Sequence, residues 1–336
     1  MEKAAFVKPS PARTLLRRLI PGILLGFLAL VGVSLAGDLR QVGQEIRQFN
    51  WWFFPAALLA TLFNYTLRFL KWHYYIRQIG ARNLPWPQSL RLFVAGFPLA
   101  VTPGKVGEAL KGVWLRSLTG IPVARGISVV VAERISDGLA VLGLSTVGVI
   151  AYPQYWPAFL LILVGLLAVV VISQIRPAAL WLLNQGERVR PLRSLVGGLR
   201  EFYEGSFSLF RPGVTLLAVG LGAVSWLGEG IGFYLLLVGL GLAPGWNLLS
   251  LAVFTLAFST VVGAVSALPG GLGAAEASIA GMLILLGGIP GAAASAGTLL
   301  IRLATLWFGV SLGLCVWLFS RDLLGLQAEN GSVAQS

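Results

Sequence analysis

Apolar residues in this chain gather into runs about as long as a bilayer is thick, separated by short polar segments. A hydrocarbon core about 30 Å thick takes about 20 such residues in a helix. Runs at 19–36, 51–70, 127–151, 158–173, 214–240 and 292–319 approach or exceed that length and predict six full crossings. Two further apolar stretches, 90–118 and 248–286, are interrupted by Pro103-Gly104 and Pro269-Gly270. Proline cannot donate to the helical ladder and glycine relaxes the backbone, so a helix should stop and restart at each pair. Such breaks survive at membrane depth only against protein or a wet cavity. The pattern therefore predicts an all-α polytopic membrane protein with two re-entrant or discontinuous helix pairs. If both pairs cross fully, the crossings number ten and the termini keep their side.

Composition agrees and removes the alternatives. Of 336 residues, 57% are hydrophobic and 11% charged, against about 25% charged in a soluble domain. Cys315 is alone, which excludes a disulfide scaffold, and so much apolar surface excludes disorder. The net charge of +12 reads as the positive-inside signature rather than as nucleic-acid binding. With the N-terminus cytoplasmic and each broken pair returning to its starting side, eighteen loop Lys and Arg residues share one side. Arg40 and Arg47 are left on the other. Both termini are thus expected in the cytoplasm of a cell in whose plasma membrane the chain sits. Tails at 1–18 and 322–336 flank one membrane domain at 19–321.

Tryptophans mark the expected interfaces: Trp51, Trp52, Trp156 and Trp246 on one side, Trp72, Trp86, Trp181 and Trp317 on the other. His73, beside Lys71 and Trp72, reads as interfacial. Arg17-Arg18, the apolar run and Ser34-Leu35-Ala36 imitate a signal peptide, but the helix is read as retained. Within the connector at 176–211, Leu192, Leu195, Val196, Leu199, Phe202 and Tyr203 share a helical face opposite arginines. That face would lie on the inner leaflet or on the protein's own cytoplasmic surface.

The broken pairs resemble each other. Pro103-Gly104-Lys105-Val106-Gly107 compares with Pro269-Gly270-Gly271-Leu272-Gly273, and Gly120-Ile121-Pro122 with Gly288-Ile289-Pro290. An arginine stands twelve residues beyond each later proline, Arg134 and Arg302. Repeat one (about 50–151) and repeat two (about 212–320) each read crossing, broken pair, crossing. The extra crossing between them inverts the second, an arrangement used by many secondary transporters.

Ten ionisable residues fall inside the apolar segments: Arg68, Lys105, Glu108, Lys111, Glu133, Arg134, Asp137, Glu229, Glu276 and Arg302. Each costs about 2.5–3.5 kcal/mol at a helix centre on insertion scales, so they must pair or face water. Glu133 and Asp137, four apart, share a helix face, and Glu108 and Lys111 are three apart just past the first break. A helix restarting after Gly104 presents unpaired N–H groups and its positive dipole end to an anion. Gly270, Gly271 and Gly273 give the second break the same capacity. The expected substrate-binding set is Lys105, Glu108, Lys111, Glu133, Arg134, Asp137, Glu276 and Arg302 with those glycines, backed by Arg68 and Glu229. No catalytic residue, metal site or cofactor is expected.

At these residues the chain resembles the lysylphosphatidylglycerol synthase transmembrane-region family, a flippase-like family that includes the membrane domain of the multiple peptide resistance factor. The resemblance spans roughly 51–321. It rests on Arg68-Phe69-Leu70-Lys71-Trp72, Pro103-Gly104-Lys105-Val106-Gly107-Glu108 with Lys111, Glu133-Arg134 with Asp137, and Leu268-Pro269-Gly270-Gly271-Leu272-Gly273 with Glu276, then Arg302. It implies a helical bundle that handles anionic or aminoacylated lipids or polyprenyl-phosphate carriers. The family often has arginine where this chain has Lys105 and Lys111, which replaces a bidentate phosphate fork by point charges. The family's synthases carry a soluble aminoacyl-transferase domain, whereas 15 residues follow Arg321 here, so aminoacyl-lipid synthesis by this chain alone is not expected.

A lipid flippase is the leading expectation, with half-helix ends and Lys105, Lys111, Arg134 and Arg302 holding phosphate. The carboxylates would balance those charges or couple transport to protons. No Walker motif points to ATP. The alternatives are an intramembrane enzyme acting on a lipid phosphate, with Glu133 and Asp137 on Mg²⁺, and a non-transporting partner of lipid-synthesis enzymes. Expected partners are anionic-headgroup lipids, with such an enzyme or a second copy of the chain as further candidates.

Overall fold

The computed structural model describes residue 32 and residues 38–102, 107–151, 156–188 and 193–320; the side chains of 147–151 and 158 are outside the description. Both predicted tails, the predicted crossing at 19–36 apart from Gly32, and Pro103, Gly104, Lys105 and Val106 therefore lie outside it. The described residues are helical nearly throughout and contain no strand.

Helix α1 (Leu39–Gln48) starts where the Asp38 carboxylate accepts from the Arg40 N–H at 3.0 Å. It rests Val42 on Ala292 and Ala296. Helix α2 (Phe53–Gln78) has 26 residues and is about 39 Å long at 1.5 Å per residue. It continues past the predicted end at residue 70, because the charge at Lys71 is neutralised inside the protein and does not stop the helix. This corrects the interfacial assignments of Trp72 and His73 and the reading of Lys71 as a loop charge. Lys71, Trp72 and His73 are all buried, and His73 Nδ1 lies 3.0 Å from Ser89 Oγ beneath the Trp86 ring. Trp317, also expected at an interface, is buried and donates to the Ala95 carbonyl at 2.8 Å.

After α2 come α3 (Trp86–Ala95), a 3-10 turn (Phe97–Val101), α4 (Leu110–Thr119) and α5 (Val123–Ala151). The ten residues each of α3 and α4 are too few to span, as the first break predicts. Helix α6 (Trp156–Ser173) bends by 77° into α7 (Arg176–Arg188), which buries none of its residues. Helix α8 (Arg193–Leu209) packs on α5 at Gly205 and on α7, where Val196 lies against Gly186. A Cβ on Gly205 would fall 2.2 Å from Ser128 Oγ, so the contact is close. Arg125 pairs with Glu201 across it at 2.5 Å. The connector thus lies on the protein's own surface, while Leu195 and Leu199 of the predicted face point outward.

Helix α9 (Pro212–Gly239) runs along α2 over much of its length. Small residues permit the approach: a Cβ on Gly232 would sit 3.0 Å from the Ala60 methyl, and one on Gly228 2.8 Å from the Phe63 ring. Asn64, fully buried, donates to the Ser225 carbonyl at 3.0 Å across the same seam. Helix α10 (Trp246–Val265) has 20 residues, so the second apolar stretch differs from the first in having one leg long enough to cross. It ends at left-handed Ala267 and a 3-10 turn (Pro269–Gly271) beside the predicted break. Then follow α11 (Ala274–Leu285), α12 (Gly291–Arg302), a π turn (Leu303–Trp307) and α13 (Phe308–Phe319). Among the described residues, four continuous spans are long and apolar enough to cross a membrane: Phe53–Gln78, Pro212–Gly239, Trp246–Val265 and Gly291–Phe319.

The two halves interlock. Helix α2 meets α9; α3 and its 3-10 turn meet α13; α10 meets α5; and the 3-10 turns at Phe97–Val101 and Pro269–Gly271 touch each other. One apolar core gathers Trp72, Leu92, Leu99 and Leu115 with Val310 and Trp317, and a second gathers Phe233, Leu237, Ile279 and Leu300.

Candidate functional site

Where the halves meet they enclose a cavity of about 450 Å³. Arg68 enters it from α2, Glu108 and Lys111 from the restart at α4, and Arg134 and Asp137 from α5. Glu229 of α9, Gly270 of the second break and Arg302 of α12 close it from the other half. Tyr65, Phe93, Phe97 and Trp226 supply aromatic walls. Helical register explains the convergence: Tyr65, Arg68 and Lys71 are spaced by three, and Glu133 and Asp137 by four, so each set shares one helix face.

The charges are paired, and the pairs cross between elements. Arg134 Nε lies 3.3 Å from Glu108 and Arg302 Nε 2.6 Å from Glu276. Lys111 Nζ lies 3.7 Å from Glu133 and over the rings of Trp72 and Phe93 at 5.1 and 5.5 Å. Asp137 takes two cations, Lys71 Nζ and, at 3.5 Å, Arg68. Arg68 also lies over Trp226 at 5.8 Å. Five cations (Arg68, Lys71, Lys111, Arg134, Arg302) thus meet four paired carboxylates among the described residues, and Glu229 is the fifth carboxylate. Removing one partner of a pair as buried as Arg302–Glu276 costs about 3–5 kcal/mol, because the other charge is stranded.

Exposure within each arginine pair is asymmetric. The Arg134 side chain is 35% exposed against 4% for Glu108, and Arg302 13% against none for Glu276. Glu276 stands behind Arg302, off the lining, and Glu108 lines the cavity beside the more exposed Arg134, so both guanidinium groups are presented to the cavity as cationic hydrogen-bond donors.

Glu133 and Glu276 are buried off the cavity lining, each behind the cation it holds. The three glycines of the second break have separate tasks. Gly270 (φ 62°) lines the cavity and its carbonyl accepts from Arg302 at 3.1 Å. Gly271 packs on Gly263, where an added Cβ would meet the neighbouring Cα at 2.9 Å. Gly273 donates its N–H to Glu276 at 2.7 Å, so that donor is occupied. Gly104 and Lys105 lie outside the described residues.

Three participants escape the sequence reading. Lys71, counted there as a loop charge, is the closest partner of Asp137; its spacing of three from Arg68 is the signal. Tyr65 donates to the Thr305 carbonyl in the π turn at 2.8 Å, and Gly309 leaves room for its hydroxyl. The third is the equivalence of Glu108 and Glu276. Each is 26 residues before its arginine, and the pairs are 168 residues apart, as are Pro122 and Pro290.

A sequence model of the family described as Lysylphosphatidylglycerol synthase TM region matches residues 19–313. A UPF0104 membrane protein of Methanothermobacter thermautotrophicus is 28% identical over 289 residues, covering 79% of this chain and 82% of that protein. With its apolar spans, this makes the chain a multi-pass membrane protein.

Proposed function

Because the chain belongs to the lysylphosphatidylglycerol synthase TM region family, we propose that it is a flippase for an anionic, aminoacylated or polyprenyl-phosphate-linked lipid. The headgroup crosses through the polar cavity between two inverted repeats while the acyl or prenyl chains stay in the bilayer. The observation that carries this reading is the set of guanidinium groups lining the cavity, Arg68, Arg134 and Arg302, each paired with a carboxylate. Preorganised arginines of this kind fork onto phosphate oxygens, and apolar surroundings strengthen the contact.

The repeated 26-residue pairs and the reciprocal contacts between halves support the inverted repeat. In a two-fold relation the first crossings meet each other, the breaks meet each other, and each broken pair meets the other unit's last crossing. The helix pairs α2–α9, α3–α13 and α10–α5 and the touching 3-10 turns follow that scheme. On this reading the chain makes six full crossings with two re-entrant pairs, and its basic loops place both termini in the cytoplasm. Glu133 and Asp137 are each engaged by lysine or arginine rather than by one another. That favours carriage of a phosphate over chemistry upon it.

The test is transbilayer exchange of fluorescent phosphatidylglycerol in liposomes containing the purified full-length chain. Wild type should exchange the lipid well above protein-free liposomes, and Arg302→Ala should lower the rate at least ~10-fold, the equivalent of about 1.4 kcal/mol. Protein-free rates in the wild type would overturn the reading.

A further inference from the structure

Four of the five interior carboxylates have a cation: Glu108, Glu133, Asp137 and Glu276. Glu229 has neither an ion pair nor a hydrogen bond among the described residues, although it is 7% exposed and lines the cavity. It stands on α9, a turn beyond Trp226, where no other acid or base lies on the same helix apart from Tyr234. The elements packed on α9 surround it with charge already engaged. Arg68 on α2 and Arg302 on α12 face it as cations, Asp137 on α5 faces it as an anion, and Tyr65 of α2 lies nearby; α10 contributes no charge.

We infer that Glu229 carries the proton that accompanies a singly charged lipid phosphodiester through the cavity. This rests on the flippase reading and names its coupling ion. Protonating any of the other four carboxylates would strand a buried cation; protonating Glu229 strands none. With that proton in place, the described interior charges leave one net positive charge, which the phosphodiester's single negative charge cancels. When Glu229 is ionised, the described interior charges already sum to zero and the arriving anion meets a carboxylate facing the same arginines. The headgroup and the proton therefore enter together and leave together. One proton moves per lipid, and no net charge crosses. Binding weakens as pH rises through the titration of Glu229 and strengthens as it falls.

The experiment uses full-length wild type, Glu229→Gln and Glu229→Asp in liposomes with fluorescent phosphatidylglycerol, at equal pH on both sides across a series and then under a pH gradient. Wild type should slow at least ~10-fold from the acidic to the alkaline end and, under the gradient, accumulate lipid in the leaflet facing the alkaline side. Glu229→Gln, permanently neutral, should exchange at all pH values without accumulation; Glu229→Asp should restore the pH dependence. A pH profile in Glu229→Gln that follows the wild type overturns the proton site and leaves the flippase standing. A wild type that exchanges nothing at any pH removes both. Should Glu229→Gln fail to fold, infrared spectroscopy of the purified wild type decides. A protonated-carboxyl band that disappears with rising pH, and moves on adding phosphatidylglycerol, supports the assignment; its absence overturns it.

Discussion

Glu276 grips Arg302 at 2.6 Å from a fully buried position, caps the Gly273 N–H, and shares the arginine with the Gly270 carbonyl. Its counterpart Glu108 meets Arg134 at 3.3 Å and leaves that side chain about a third exposed. The same 26-residue spacing thus produces a locked corner in one half and a more exposed arginine in the other. The second break turns through three left-handed glycines that bring backbone to the arginine, whereas the first restarts through a helix that places Lys111 on Trp72 and Phe93 instead. A fixed arginine and a freer one suit a site that must hold a headgroup and then release it.

The comparison can be broken from the locked side first. Glu276→Ala strands Arg302 and uncaps α11, and should cost about 3–5 kcal/mol, read as a large fall in unfolding temperature in detergent. Glu108→Ala should cost about 1–2 kcal/mol by the same assay, because Arg134 can turn to water; equal losses would erase the distinction. Arg302→Lys gives up the fork that reaches both Glu276 and Gly270 and should destabilise by about 2 kcal/mol. Arg134→Lys should stay within about 1 kcal/mol. Tyr65→Phe, which deletes one hydrogen bond to the π turn, should cost about 1 kcal/mol.

Much of this architecture is legible in the chain before folding. The Pro269-Gly270 break, the order of long and short helices and the charged interior follow from helix chemistry and bilayer thickness alone. Lys71, Trp72, His73 and Trp317 are misplaced by the same rules, because the rules sort residues by type, whereas burial depends on a partner. Asp137 lets Lys71 stay inside, and the Ala95 carbonyl does so for Trp317. Which carboxylate meets which cation is a three-dimensional fact. The Glu133–Asp137 spacing suggested a shared site, and each instead serves a different lysine. The 168-residue offset between the paired glutamates was available throughout, hidden because the two breaks themselves are out of step by two residues.

The cationic cavity as a seat for a lipid phosphate is tested most directly by native mass spectrometry of the delipidated protein, titrated with equal phosphatidylglycerol and phosphatidylcholine. The expected result is retention of phosphatidylglycerol over phosphatidylcholine in the wild type, with the preference lost in Arg134→Ala. Equal retention of the two lipids by the wild type would contradict it.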